Sequence, residues 1–187
     1  MLPQWSFSQT HITMSLQNCE FTSDTTLEFD VYLFNDGTTS IQLGALSFGI
    51  NYDRAILSGG TPGKNAFTYL PGSKDNVFAN LIRYVPQHAL TNHHLRFTTS
   101  PVSKFNAPTL APKTKYKFGR FILTNTTAFT EKRDPALKMQ LDPKGGYTNC
   151  VLNVFLKNAD TSITLNDAGI APRGNMYATV DCHFDFK

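Results

Sequence analysis

TLEFDVYLFNDGTTSIQLGALSFGINYDRAILSGG, Thr26 to Gly60, is the stretch that decides the fold. Leu27, Phe29, Val31 and Leu33 alternate with Glu28, Asp30 and Tyr32, the period-two pattern of a half-buried strand. Asn35-Asp36-Gly37 supplies a turn, since Asn, Asp and Gly tolerate positive φ. Ile41, Leu43 and Ala45 resume an apolar face, and Leu46, Phe48 and Ile50 follow in the opposite phase. That change of phase predicts a bulge or a crossing near Gly44. The reading is β-sandwich, with little chemistry in it.

Outward from this stretch, the strand pattern repeats. Ile12, Met14 and Leu16 alternate in Trp5 to Leu16, which predicts a first strand ending near Asn18. Asp53 to Gly63 is a Gly- and Pro-rich turn region, and Ala66 to Leu70 a short strand closed by Pro71-Gly72. Val77 to Val85 suits either a strand or one helical turn, and Pro86 to His94 reads as loop. Leu95 to Thr99 is a strand, and Pro101 to Pro112 an irregular surface crossing. Tyr116 to Thr124, YKFGRFILT, is a strong strand with Gly119 inside it, where a neighbouring group is expected to approach closely. Thr130 to Pro135 and Asp142 to Gly146 read as loop and turn, with Leu137, Met139 and Leu141 alternating between them. Cys150 to Leu156 is apolar, Ser162 to Leu165 a short strand, and Met176 to Phe186 a long alternating one. The expectation is one domain over residues 1–187, all-β, a two-sheet antiparallel sandwich of cohesin/immunoglobulin-like or jelly-roll type.

Composition supports this. Across 187 residues, 41% are hydrophobic, 12% aromatic and only 17% charged, a balance closer to secreted than to cytosolic proteins. The net charge of +3 is weak. Lys113, Lys115, Lys117 and Arg120 form the nearest thing to a basic cluster, read as a solvated strand face rather than a nucleic-acid patch. No apolar run is long enough to span a membrane. The start lacks the pattern of a signal peptide, so the protein is either cytosolic or exported with its leader removed. Cys19, Cys150 and Cys182 show no zinc spacing. They allow one disulfide with a free thiol, or three reduced thiols.

FDVYLFNDGTTSIQLGALSFGINYDRAILSGG, together with GRFILTNTTAF from Gly119, resembles the amino-terminal β-module of large Bacteroidetes surface proteins exported by the type IX secretion system. In those modules an FDVYL-like strand precedes an N-x-G-T-T turn, then G-I-x-Y, then A-I-L-x-G-G, with a G-R-F-x-L-T-N-T run later. The resemblance implies a sandwich similar to cohesins and carbohydrate-binding modules, secreted or on the bacterial cell surface, and brings no catalytic residues. Thr148 to Lys187 lies outside it, so the chain reads as an excised module or as a protein built on this module alone.

The chemistry-bearing residues are sparse. His93-His94 is an adjacent pair without a third ligand, and His11, His88 and His183 are scattered. No nucleophile elbow, HExxH or P-loop occurs. Glu28 and Asp30 lie two residues apart on one strand face and read as exposed strand residues, not as a glycosidase pair. Asn35-Asp36, Asn51-Asp53, Asn158-Asp160 and Asn166-Asp167 would admit structural calcium, but none has calcium-loop spacing and turn chemistry explains them. No metal site and no other cofactor is expected. Trp5, Tyr32, Tyr69, Tyr84 and Tyr177 are the candidates for a sugar-stacking platform. Asn125-Thr126-Thr127 fits N-glycosylation, and Thr25 in Asp24-Thr25-Thr26 resembles the Bacteroidetes O-glycosylation acceptor.

The expected function is therefore non-catalytic: an extracellular module for adhesion or surface assembly, partnered by a surface polysaccharide or another surface protein, and not by nucleic acid. The alternatives are a carbohydrate-binding module and a filament subunit self-associating through its terminal strands, Trp5 to Leu16 and Met176 to Phe186.

Overall fold

The computed structural model describes residues 10–56, 67–81, 87–91, 94–129, 136–140, 151–155, 162–166 and 174–180. Their strands form two sheets. Sheet A runs β12 (Gly174–Val180), β1 (Thr10–Phe21), β2 (Thr26–Asn35), β8 (Thr114–Thr124), β4 (Phe67–Tyr69). Sheet B runs β11 (Ser162–Asn166), β10 (Val151–Phe155), β3 (Ile41–Asn51), β6 (His94–Thr98), β5 (Gln87–Thr91), with β7 (Thr109–Leu110) and β9 (Lys138–Gln140) also paired to β3. The fold is an all-β sandwich, and β2 and β3 are the central strands of the two layers.

The alternation in Thr26 to Asn51 sets the core. Leu27, Phe29, Val31 and Leu33 of β2 and Leu43, Leu46, Phe48 and Ile50 of β3 are buried. Between the layers, Phe48 stacks on Phe97 at 5.0 Å, and Phe97 meets Phe121 edge-on at 4.8 Å. Phe121 in turn stacks on Phe29 at 5.5 Å. Each such ring contributes roughly 1.5–3 kcal/mol by leaving water.

The phase change in β3 is a bulge. Asn153 pairs with Ala45 and Val154 with Leu43, so Gly44 is the extra residue. The close approach at Gly119 is also present. A Cβ there would stand 2.2 Å from Tyr69 Cε2. Gly72, in the turn after β4, has φ of 78°.

Three expectations need correction. The sandwich is not wholly antiparallel, because β12 pairs parallel with β1 from Thr10↔Gly174 to Leu16↔Val180. No short hairpin links these two strands, so turn geometry does not dictate their relative direction. Second, β1 does not stop near Asn18. It continues to Phe21 through a bulge between Gln17 and Glu20. Third, Pro86 to His94 is not all loop, since Gln87–Thr91 forms β5 and pairs with β6. The sequence QHALT has no apolar alternation because it is an edge strand. For Val77 to Val85, left between a strand and one helical turn, the structure has the helical turn: Asn76–Phe78 is a 3-10 turn that buries Phe78. Thr130 to Pro135, Asp142 to Gly146 and the end of the last predicted strand lie outside the described residues.

Candidate functional site

The two outward faces of the sandwich differ in kind. On sheet A the face carries charge that is closed on itself. Asp30 in β2 is 2% exposed and accepts hydrogen bonds from Asn18 Nδ2 at 2.8 Å and Arg120 Nε at 2.9 Å. Lys117 Nζ stands 3.0 Å from the same carboxylate. Arg120 also reaches Glu28 at 2.7 Å and Glu20 at 3.0 Å.

Two bulges make this possible. Asn18 sits in the β1 bulge at φ 53°, a left-handed conformation that Asn tolerates, and turns its amide to Asp30. In β8 the register slips between Gly119, opposite Val31, and Lys117, opposite Tyr32. Lys117 and Arg120, three apart, therefore share one face, which regular alternation forbids. Burial alone would raise the pKa of Asp30. The hydrogen bonds from Arg120, Asn18 and Lys117 outweigh it and hold the carboxyl below its ordinary value. The Asp30 partnership raises the pKa of Arg120. The expectation that Glu28 and Asp30 are simply exposed is corrected for both, since Asp30 is buried and Glu28 is half-buried against Arg120. Lys113 is likewise not on the strand face. It precedes β8 and pairs with Asp36 at 2.9 Å.

On sheet B the half-buried residues of β3 are Gln42, Ala45, Ser47 and Asn51, small or neutral, while Gly49 between the last two is buried. Ser47 Oγ and Thr98 Oγ1 lie 3.1 Å apart across this face. Where β6 ends, the chain runs on beside β3. Thr99 N donates to Leu46 O, Val102 N to Gly44 O, and Leu43 N accompanies it by donating to Pro108 O. Between these ties, Lys104–Asn106 forms a 3-10 turn, and Gln42 Nε2 donates to Lys104 O at 3.4 Å. Phe105, at the crest of that turn, is 99% exposed. Asn106 N and Nδ2 both donate to Ser103, which ties down the turn beneath it. Phe155 of β10, half-buried, pairs with Gln42 at the same end of the sheet.

The sugar-platform candidates do not assemble. Tyr69 is 5% exposed in the core, with its hydroxyl donating to Phe118 O, and burial pushes its pKa up. It packs rather than presents a face, which corrects that expectation. Tyr32 is on the outward face of sheet A, but Lys115 Nζ lies 5.2 Å over its ring. Trp5 and Tyr84 lie outside the described residues. Tyr177 falls in β12 opposite Thr13, outside those whose side chains are described.

Asn125 is 4% exposed and its Nδ2 donates to Ile56 O at 2.8 Å, so its amide is committed inside the fold and not presented for glycosylation. Thr25 is half-buried, 3.3 Å from Ser23 Oγ. Asn35 holds its turn through Thr39 O, Leu110 O and Gly37 N, and Asp53 receives Ala55 N. Among the described residues no three His, Cys, Asp or Glu side chains converge as metal ligands. Among them, no helix is long and apolar enough to cross a membrane. Cys19, buried beside the β1 bulge, is disulfide-bonded.

Phe105 and the Asn18–Asp30–Arg120 cluster escaped the sequence reading. Arg120 and Asp30 were visible only as separate charges. Phe105, an aromatic among prolines and Asn, was the one available signal for the turn.

No family model matches the chain. No curated protein matches it either. The solved structures similar to it include the seventh ScaB type I cohesin from Pseudobacteroides cellulosolvens, at 10% identity and TM-score 0.49, covering 95% of this chain and 97% of that one. The third cohesin ScaC from Acetivibrio cellulolyticus, in complex with the ScaB dockerin, aligns at 10% identity and TM-score 0.42, over 92% of this chain and 96% of that one. A GH20 exo-β-N-acetylglucosaminidase from Vibrio harveyi aligns at 10% identity and TM-score 0.40 over 92% of this chain but 18% of its own. The assignment to the all-β sandwich class rests on this chain's own two sheets.

Proposed function

We propose that this chain is a non-catalytic, extracellular module that serves surface assembly by docking another protein, through the outer face of sheet B and the Phe105 turn. The observation that carries the reading is Phe105, 99% exposed on a turn tied to Gln42 of β3. A large ring presented to water from a turn whose backbone is tied down can serve as an aromatic anchor of a protein interface, whose truncation costs about 2 kcal/mol or more of binding. The disulfide at Cys19 supports an oxidising, extracytoplasmic compartment. The motif resemblance at Phe29 to Gly60 supports display on a bacterial surface by type IX export.

A polysaccharide partner has less support, because Tyr69 is core and the Tyr32 ring is capped by Lys115. Strand exchange also has less support, because β1 and β12 already pair within the chain. The test is a paired affinity capture from the secreted and surface fraction of the source organism, using the wild-type chain and Phe105→Ser. A protein retained by the first and lost by the second is expected. Identical captures, or turnover of a glycoside or peptide by the pure chain, overturn the reading.

A further inference from the structure

We infer that this chain self-associates through the free edge of β12, which takes the same edge of a second copy in an antiparallel ladder across a two-fold axis. This surface is separate from the Phe105 turn. β12 is the outermost strand of sheet A, laddered on one side to β1 from Thr10↔Gly174 to Leu16↔Val180 without a break in register. Among the described residues no strand ladders to its other side. β11, at the margin of the other layer, lies near β12 but shares no ladder with it. A strand at the margin of a sheet leaves a row of backbone N–H and C=O groups that another strand can satisfy.

Folded proteins blunt such margins with charge, proline, bulges or brevity. β4 has three residues and runs through Leu70 into Pro71, and it meets β5 where the layers close. β5 and β11 have five residues each. β12, GNMYATV, has seven residues, with no Lys, Arg, Asp, Glu or Pro and no bulge. It is the longest of these margins and carries none of the protecting devices.

The occupant that fits is the chain itself. Identical edges related by a two-fold axis run antiparallel, and an antiparallel ladder satisfies both backbone rows at once. With Tyr177, the middle residue, on the axis, Met176 falls opposite the partner's Ala178 and Asn175 opposite the partner's Thr179. Met176, Ala178 and Val180 pair in β1 with Ile12, Met14 and Leu16, which are buried, so this register carries the apolar face of sheet A from one copy into the next. Asn175, Tyr177 and Thr179 alternate with them and are neutral, so no like charges oppose each other across the axis.

The test is sedimentation equilibrium of the full chain over a concentration series. A monomer–dimer equilibrium is expected, with amide hydrogen exchange in β12 of the wild type slowing as the dimer fills. Asn175→Lys combined with Thr179→Lys sets like charges opposite each other on both sides of the axis and should weaken the dimer about tenfold. Asn175→Lys combined with Thr179→Glu makes the same contacts opposite in charge and should keep it. Phe105→Ser should leave it unchanged. A chain monomeric at every concentration, a dimer without added protection in β12, or equal dimerisation of the two double variants overturns the inference. A dimer lost with Phe105→Ser also overturns it, and makes a second copy the partner of the Phe105 turn.

Discussion

Asp30 lies on the outward side of its sheet and yet is almost without exposed surface, because Arg120, Lys117 and Asn18 close over it. A carboxylate so placed depends on its partners, and removing one member of a buried pair leaves the rest uncompensated. Asp30→Ala is expected to cost about 3 kcal/mol in urea unfolding. The folded pKa of Asp30 lies below its ordinary value of 3.8. Its contribution is therefore complete above the unfolded-state pKa and is lost as pH falls through the folded one. Acid titration should show wild-type stability falling at the acidic end, and Asp30→Ala should flatten that fall. Gly119 makes a second residue-scale case. A methyl there meets the Tyr69 ring, which is wedged against Phe97 and Phe121 and has nowhere to move. Gly119→Ala should destabilise by about 2–3 kcal/mol, and Tyr69→Leu in the same chain should recover part of that loss.

Among the elements, bulges decide what each strand shows to which side. The bulge in β1 turns Asn18 outward to Asp30 and buries Cys19. Cys19→Ser is expected to lower stability by about 2–4 kcal/mol in guanidinium unfolding. Thiol titration of the unfolded, unreduced chain should find one free thiol, since three cysteines include the bonded Cys19. The bulge in β3 was legible beforehand, because buried positions change phase between Leu43 and Leu46. The slip in β8 was not, because Phe118 and Gly119 both fit an inward reading and only pairing with β2 shows which residue is extra. The edge strand β5 was missed for a related reason. Its polar run lacks the alternation that burial on one face imposes on a central strand.

Across the whole molecule, the charges on sheet A close on one another, while Phe105 stands exposed on the turn tied to β3 of sheet B. Phe105→Ser is expected to change unfolding stability by less than about 0.5 kcal/mol, because a side chain in water packs nothing, while abolishing capture of the partner. Loss of stability comparable to that of Gly119→Ala would mean that Phe105 supports the fold instead.

The sequence by itself determined the class of fold, the central strands and most of the core. Alternation is a local property, and each strand must bury one face wherever its partners lie. It also exposed Gly44, where β3 bulges, and Gly119, where a neighbouring ring approaches. Only the tertiary structure decided that β12 runs parallel to β1, that Asp30 and Arg120 meet across 90 residues, that Tyr69 and Asn125 are inside, and that Phe105 is outside. Those outcomes depend on which strands become neighbours and in what register, a long-range choice that no window of the chain contains.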